Sequence, residues 1–275
     1  MNPPLQKKAQ TRLDPYIRVD ETEDPSYWAE ILERRWRDRQ FQLLLRQAFQ
    51  GLGLKGPGTT LDLGCGTGVS SRALARLGGP RRRILGVDVS QRLIEEAKRQ
   101  RGRGVSFVIA QGERLPLPDE SVDGTVMVTL LPHALRPGQI LQEVFRVTKP
   151  RGYLLSIDQD HETLTVFPGE RVLTRKILNA YCDARVDGWV GRKQMTLLRR
   201  HGFIDVKVTP FVALYTDYRQ HPWPHLATRM VKTAEERGAV TAEEGRRWLK
   251  AIGRGARSGF FFSSLNYYFA FGRRP

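Results

Sequence analysis

Leu61-Asp62-Leu63-Gly64-Cys65-Gly66-Thr67-Gly68 is the stretch whose reading decides the architecture. A short run rich in leucine leads into three alternating glycines, and a helix-forming run over 69–77 follows. Glycine lets a backbone turn sharply and approach a ligand with no Cβ in the way. A strand, a glycine turn and a helix in that order open a unit in which a ligand meets the carboxyl end of the strand. The spacing argues against two common ligands. After Gly64 and Gly66 the dinucleotide pattern needs glycine where Val69 stands, and after Gly66 and Gly68 it needs one where Ser71 stands. A phosphate-binding G-x-x-x-x-G-K-[ST] is absent as well.

Outward from this turn, strands alternate with helices. Strands are expected at 59–64, 83–89, 105–110, 122–131 and 153–158, with helices at 69–77, 90–100 and about 138–147. The turn Lys149-Pro150-Arg151-Gly152 leads into the fifth strand. This alternation implies right-handed βαβ units, hence a parallel sheet with helices on both faces. Beyond Gln159 the pattern is less regular: helical character over 168–200, a strand within 201–211, and two helices between about 223 and 252. Thr241 and Glu244 have the spacing of a capping box. Asn266–Phe271 reads as a last strand, antiparallel if it packs beside its neighbour. Before the sheet, residues 1–25 are polar and punctuated by proline, as in a mobile arm. From Ser26, a candidate N-cap, to Phe49, apolar residues such as Trp28, Leu32, Trp36 and Leu45 recur at threes and fours, which predicts one helix.

The chain has 275 residues, 40% hydrophobic and 27% charged, enough for one large α/β domain with extra helices. No apolar run approaches the roughly 18 residues of a membrane span. The first fifteen residues lack the apolar core of a secretory signal, which makes the cytoplasm the expected compartment. Cys65 and Cys182 are the only cysteines, so neither a disulfide framework nor a zinc cluster is supported. The net charge of +16 admits a nucleic-acid or anionic partner. Its arginines fall in short, separated clusters such as Arg81-Arg82-Arg83 and Arg246-Arg247, the distribution of solvated faces.

The glycine turn with an acid after the next strand resembles the class I S-adenosylmethionine-dependent methyltransferases, and within them the small-molecule enzymes of quinone biosynthesis and their natural-product relatives. The likeness covers about 59–158 well and the flanks loosely. It implies a Rossmann-like methyltransferase fold: a doubly wound, mostly parallel, seven-stranded sheet. It divides the chain into an arm and lid helix over 1–50 and a methyltransferase domain over 51–275, with helical insertions near 159–200 and 217–258. It also implies S-adenosyl-L-methionine as cofactor. Gly64, Cys65 and Gly66 would pass under the methionine portion, and Asp62 would hold its ammonium. Gly68 completes the loop. Asp88 suits the ribose hydroxyls, since a carboxylate accepts from both at once, and Val89 would lie against adenine. Gln111 stands where the family has an aspartate, its amide oxygen an acceptor for the adenine amino group; Gly112, Glu113 and Leu130 complete the expected pocket. Arg151 departs from the family's glycine in the turn before the fifth strand.

Methyl transfer needs an in-line nucleophile and often a base, but no metal. In this family the ends of the fourth and fifth strands face the methyl group. There stand His133, aligned with the second histidine of a pair that relatives often carry, and the run Ser156 to Glu162 with Asp158 and His161. Histidine suits a base near neutral pH. Tyr27 and Trp28 suit either a lid or plain helix packing, and His221 and His225 lie in a proline-broken loop rather than a zinc-binding helix. The expected acceptor is a small molecule. An RNA methyltransferase would answer to the charge, but Leu130-Leu131-Pro132-His133 is not the Asn/Asp-Pro-Pro-aromatic form that stacks a base. A non-catalytic protein keeping the fold, or one catalysing a rearrangement around the cofactor, is the third reading.

Overall fold

In the computed structural model, residues 14–275 are described except 55, 101 and 221. Seven strands form one sheet in the order β3-β2-β1-β4-β5-β7-β6. These are β1 (Gly58–Leu63), β2 (Arg82–Asp88), β3 (Val105–Ile109), β4 (Val122–Val128), β5 (Thr148–Phe167), β6 (Ile204–Tyr215) and β7 (Phe262–Arg273). The first five run parallel, and β7 is antiparallel to both β5 and β6. Strand order reverses at β1, whose neighbours are β2 and β4, so the crevice beyond its carboxyl end is where such sheets bind ligands. Strands covered on both sides read as nearly continuous buried runs, and Thr60 to Leu63 are all buried.

Nine labelled helices flank the sheet among the described residues: α1 (Pro25–Arg37), α2 (Arg39–Gln50), α3 (Val69–Gly78), α4 (Gln91–Arg99), α5 (Pro137–Val147), α6 (Arg171–Asp183), α7 (Val190–Arg200), α8 (Trp223–Glu236) and α9 (Ala242–Arg257). One face is covered mainly by α2, α3, α6, α8 and α9, through Leu44, Leu74, Ile177, Met230 and Trp248. The other is covered by α5 and α7, through Leu141, Val144 and Leu198. Thr241 and Glu244 form the expected capping box, with both reciprocal bonds made.

Several boundaries differ from the sequence reading. The single helix from Ser26 is two helices. Asp24, not Ser26, caps α1 by accepting from the Tyr27 N–H, and Asp38 breaks the run with an extended backbone while capping α2 through Gln40. Periodicity alone cannot see this break, because the apolar stripe resumes in nearly the same phase. In the expected arm, residues 1–13 lie outside the described residues. Residues Pro15–Ile17 and Val19–Glu21 form two 3₁₀ turns, with Asp14 and Val19 buried. The fourth strand stops at Val128, and Leu131–His133 make a short 3₁₀ turn.

The fifth strand has no separate turn at 149–152 and does not end at Asp158. It runs from Thr148 to Phe167, with two irregularities in pairing. Arg151, at φ +64°, lies within the first. In the second, residues 161–164 stand against Leu265 alone, between the pairs Asp160–Asn266 and Thr165–Ser264. The insertion near 159–200 therefore begins as strand, and its helical part is split at 184–189. The proline-rich run at 222–225 is not a loop. Trp223 and Pro224 start α8, where a proline without an N–H is tolerated. His221 lies outside the described residues.

Candidate active site

A cavity opens at the carboxyl ends of β1, β2, β4 and β5. Its floor is the glycine turn, its roof α1 and α8, and the strap at 14–21 closes one side through Tyr16. Gly64, Gly66 and Gly68 sit at φ +72°, +54° and +80°, a region L side chains rarely adopt. A Cβ on Gly64 would stand 2.8 Å from Leu130 Cδ1, and one on Gly66 would stand 3.0 Å from Leu32 Cδ1, so these two keep the floor open. Gly68 serves packing instead. It does not line the cavity, and a Cβ there would meet the Phe107 ring at 2.7 Å.

The two expected acids divide. Asp88 lines the cavity and ties the turn to the next helix, accepting from Gly66 N–H at 2.8 Å and Ser90 N–H at 3.0 Å. Asp62 is fully buried beneath the turn and off the cavity wall. Its Oδ2 accepts from Ser70 at 2.7 Å and Ser71 at 2.5 Å, while Oδ1 has no partner among the described residues. Burial outweighs the two serine bonds and pushes Asp62 up to about 6. Cys65 and Leu130 line the cavity. Val89, half exposed, and Gln111, Gly112 and Glu113 stand outside its wall.

His133 and His161 both face the cavity, and Asp158 does not. Both Asp158 oxygens serve the fold: Oδ1 accepts from Leu131 N–H at 3.2 Å and Oδ2 from Ser156 at 2.8 Å. Burial raises its pKa to about 7. His133 Nδ1 lies 2.7 Å from Asp14 Oδ2, inside the strap. Burial pushes Asp14 up, yet the charge and hydrogen bond of His133 and the charges of Arg185 and Arg229 prevail and hold it at about 2. His161 is 94% buried on residues bulged from β5. Burial first, and Arg185 second, push it well below the usual histidine value, and its Nδ1 has no partner among the described residues.

The residues that sequence reasoning missed are Asp14, Tyr181, Arg185 and Arg229. Arg185 stacks 4.4 Å over the Tyr181 ring and stands 3.7 Å from Asp14. Tyr181 and Arg185 are four apart, the helical neighbour spacing, which was the one visible signal. Asp14 lies 119 positions from His133 and leaves no periodic trace.

Two pins hold α1 over the site. Glu33 takes both bonds from the Arg72 Nη2 at 2.8 Å, and Arg72 Nη1 donates to the Thr67 carbonyl at 2.8 Å, which ties α1 to the glycine turn. Arg35 donates to Thr129 Oγ1 at 3.2 Å and to the Tyr267 hydroxyl at 3.3 Å. Thr129 is at φ +55°, a β-branched residue in a sparsely allowed region, the kind of strain that collects at functional sites.

Residues 61–156 match the family model of a methyltransferase domain. Over 135 residues, 48% of this chain, the sequence is 33% identical to a demethylmenaquinone methyltransferase of Tropheryma whipplei, covering 55% of it. Residues 61–156 are thus similar to a methyltransferase domain. A longer match, 30% identical over 213 residues and 76% of this chain, joins it to an uncharacterized 37.1 kDa transposon protein of Streptomyces fradiae, of which it covers 61%. The chain thus spans little more than half the length of the curated relatives it matches first. The fold is shared with a candidate methyltransferase from an antibiotic biosynthesis pathway of Anabaena variabilis, at TM-score 0.60 and 19% identity, covering 87% of this chain and 98% of that one. Among the described residues, no helix is long and apolar enough to cross a membrane.

The residues present fit the family's cofactor. The open cradle over Gly64 and Gly66, the Asp88 carboxylate on the wall and the unpartnered Thr67 Oγ1 are the acceptors and the clearance that a nucleoside with an amino-acid tail requires.

Proposed function

We propose that this protein transfers a methyl group from S-adenosylmethionine to a small molecule held in the same cavity. The observation that carries the reading is continuity: one cavity wall contains the glycine cradle with Asp88 and, further along, His133 and His161. Gly64 to Gly66 would lie along the methionine portion, Asp88 would accept from the ribose hydroxyls, and Leu130 would cover the cradle. Asp62 would act through Ser70 and Ser71, shaping the turn rather than touching the ligand. Gln111, Gly112, Glu113 and Val89 belong to the adenine end only if that end projects beyond the enclosed cavity.

When bound, the cofactor supplies an electrophilic methyl group on a sulfonium sulfur. The chain's own work is to bind, orient and deprotonate the acceptor. Asp14 would accept a hydrogen bond from the Nδ1–H of His133 and fix the tautomer, which leaves the Nε2 lone pair to accept the acceptor's proton. Once His133 is protonated, Asp14 steadies the imidazolium. Asp158 is withdrawn from direct chemistry and given to positioning Leu130 and Leu131. A roofed cavity favours a small acceptor over a nucleic acid.

Calorimetry with S-adenosylhomocysteine tests the reading. The intact protein should bind it, and Asp88→Ala should weaken binding at least tenfold. A folded protein that does not bind sinks the proposal.

A further inference from the structure

Six residues of the cavity wall each carry a buried polar atom with no hydrogen-bond partner among the described residues: Thr67 Oγ1, Gln159 Oε1, His161 Nδ1, Trp223 Nε1, Arg229 Nη2 and Ser263 Oγ. Buried polar atoms without partners are rare and call for an explanation. Thr67 belongs to the cofactor cradle. The others line the remainder of the cavity, and two of them share a corner with an unbalanced charge.

That corner holds Arg185, Arg229, His161 and Tyr181. The Arg185 side chain is 2% exposed. The Arg229 guanidinium lies 4.6 Å from the Trp28 ring and 5.5 Å from the Tyr16 ring; the residue lines the cavity, and its Nη2 has no partner among the described residues. Both arginines act electrostatically on Asp14, on Tyr181 and on His161, so they form one group. Asp14 is the carboxylate set against them, and its Oδ2 is already taken by His133. Two fixed positive charges therefore face one negative charge. The excess also shows on Tyr181, where burial would raise the hydroxyl but Arg185 and Arg229 bring it down. An uncompensated buried charge is costly, and an arginine fork with a free nitrogen is suited to an oxyanion. Around the corner the wall is apolar and aromatic, with Tyr16, Trp28, Leu226 and Met230.

Building on the methyltransferase reading, we infer that the acceptor is an amphipathic acid whose oxyanion sits against Arg229 and Arg185 while its apolar body lies against Trp28, Leu226 and Met230. Arg229 Nη2 donates to the oxyanion, Arg185 supplies charge from behind, and neutral His161 donates or accepts at the edge. The group is an orienting site for the acceptor, separate from the glycine cradle.

The test uses the intact protein saturated with S-adenosylhomocysteine and three probes of nearly equal shape: 2-naphthoate, 2-naphthamide and 2-naphthyl phosphate. Tryptophan fluorescence should show 2-naphthoate binding at least tenfold tighter than 2-naphthamide. Preference for the phosphate over both would support the oxyanion site and name phosphate as its source. Arg229→Leu should bring the acid and the amide to parity with S-adenosylhomocysteine affinity unchanged, and Arg229→Lys should restore part of the preference. Equal binding of acid and amide by the parent protein overturns the inference. So does a loss of S-adenosylhomocysteine affinity in Arg229→Leu that matches the loss for 2-naphthoate, because the arginine would then serve the cofactor's carboxylate. Failure of the parent protein to bind S-adenosylhomocysteine strikes instead at the methyltransferase reading.

Discussion

His133 shows how a residue's role depends on its partner. Alone it is an imidazole at the end of a 3₁₀ turn; with Asp14 at 2.7 Å it is one whose tautomer is set. A positioned base contributes about 10²–10⁴ in rate. His133→Ala should lower kcat by that order with whichever acceptor supports turnover, while S-adenosylhomocysteine binding stays within twofold. Unchanged kcat would remove His133 from the proton transfer. The sharp glycine turn and the place of Gly64, Gly66 and Asp88 on the cavity wall were legible in the sequence, because close backbone approach and a carboxylate after the second strand are local requirements. Asp14, Arg185 and Arg229 were not, since their meaning arises only where an N-terminal strap, a link between two helices and α8 converge. Asp158 misled for a related reason. A carboxylate in a polar run after a strand reads as a ligand group, but β5 continues through it and turns it inward.

At the scale of elements, local chemistry was legible where it was short-ranged. The Thr241 cap is such a case: its hydroxyl accepts from Glu244 N–H at 3.2 Å, and Glu244 returns a bond to Thr241 N–H at 2.8 Å. Thr241→Ala should destabilise the fold by about 1 kcal/mol, read as a shift in urea midpoint at constant slope. A shift near zero would mean that α9 is held by Trp248 and its burial alone. The break between α1 and α2 was hidden because Asp38 interrupts hydrogen bonding without interrupting the apolar stripe. What marks it in space is the Tyr215 hydroxyl donating to Asp38 Oδ2 at 2.6 Å from β6, a contact 177 positions away. The length of β5 was hidden for a different reason. Its second half is polar and bulged, and only pairing with β7 makes it a strand.

Across the whole molecule, the buried carboxylates set the response to pH. Asp62 and Asp158 have folded values of about 6 and about 7, above the roughly 3.9 of an unfolded aspartate. The unfolded chain thus releases these protons first. The stability they contribute is complete below about pH 4 and is lost as pH rises through 6 and 7. Asp14 acts in the opposite sense: held at about 2, it stabilises above pH 4 and loses that contribution as pH falls toward 2. From pH 5 to pH 8 the protein should lose about 2–4 kcal/mol through Asp158. Asp158→Asn, which keeps an oxygen for Leu131, should flatten that part of the profile in urea titrations at the two pH values. An equal slope in variant and parent would show that Asp158 is already ionised at pH 5. The net charge of +16 was legible from composition, but the gathering of Arg185 and Arg229 beside Asp14 at one corner of the cavity was not.

The strap has a consequence for release. Its far end is fastened where Asp20 accepts from Ser90 Oγ at 2.5 Å and from Gln91 N–H at 2.7 Å, capping α4 beside Asp88. Its near end is fastened at Asp14, on His133 and Arg185. The strap therefore runs along one side of the chamber from Asp88 to His133, and on the proposed function a spent cofactor leaving on that side must first undo one of the two fastenings.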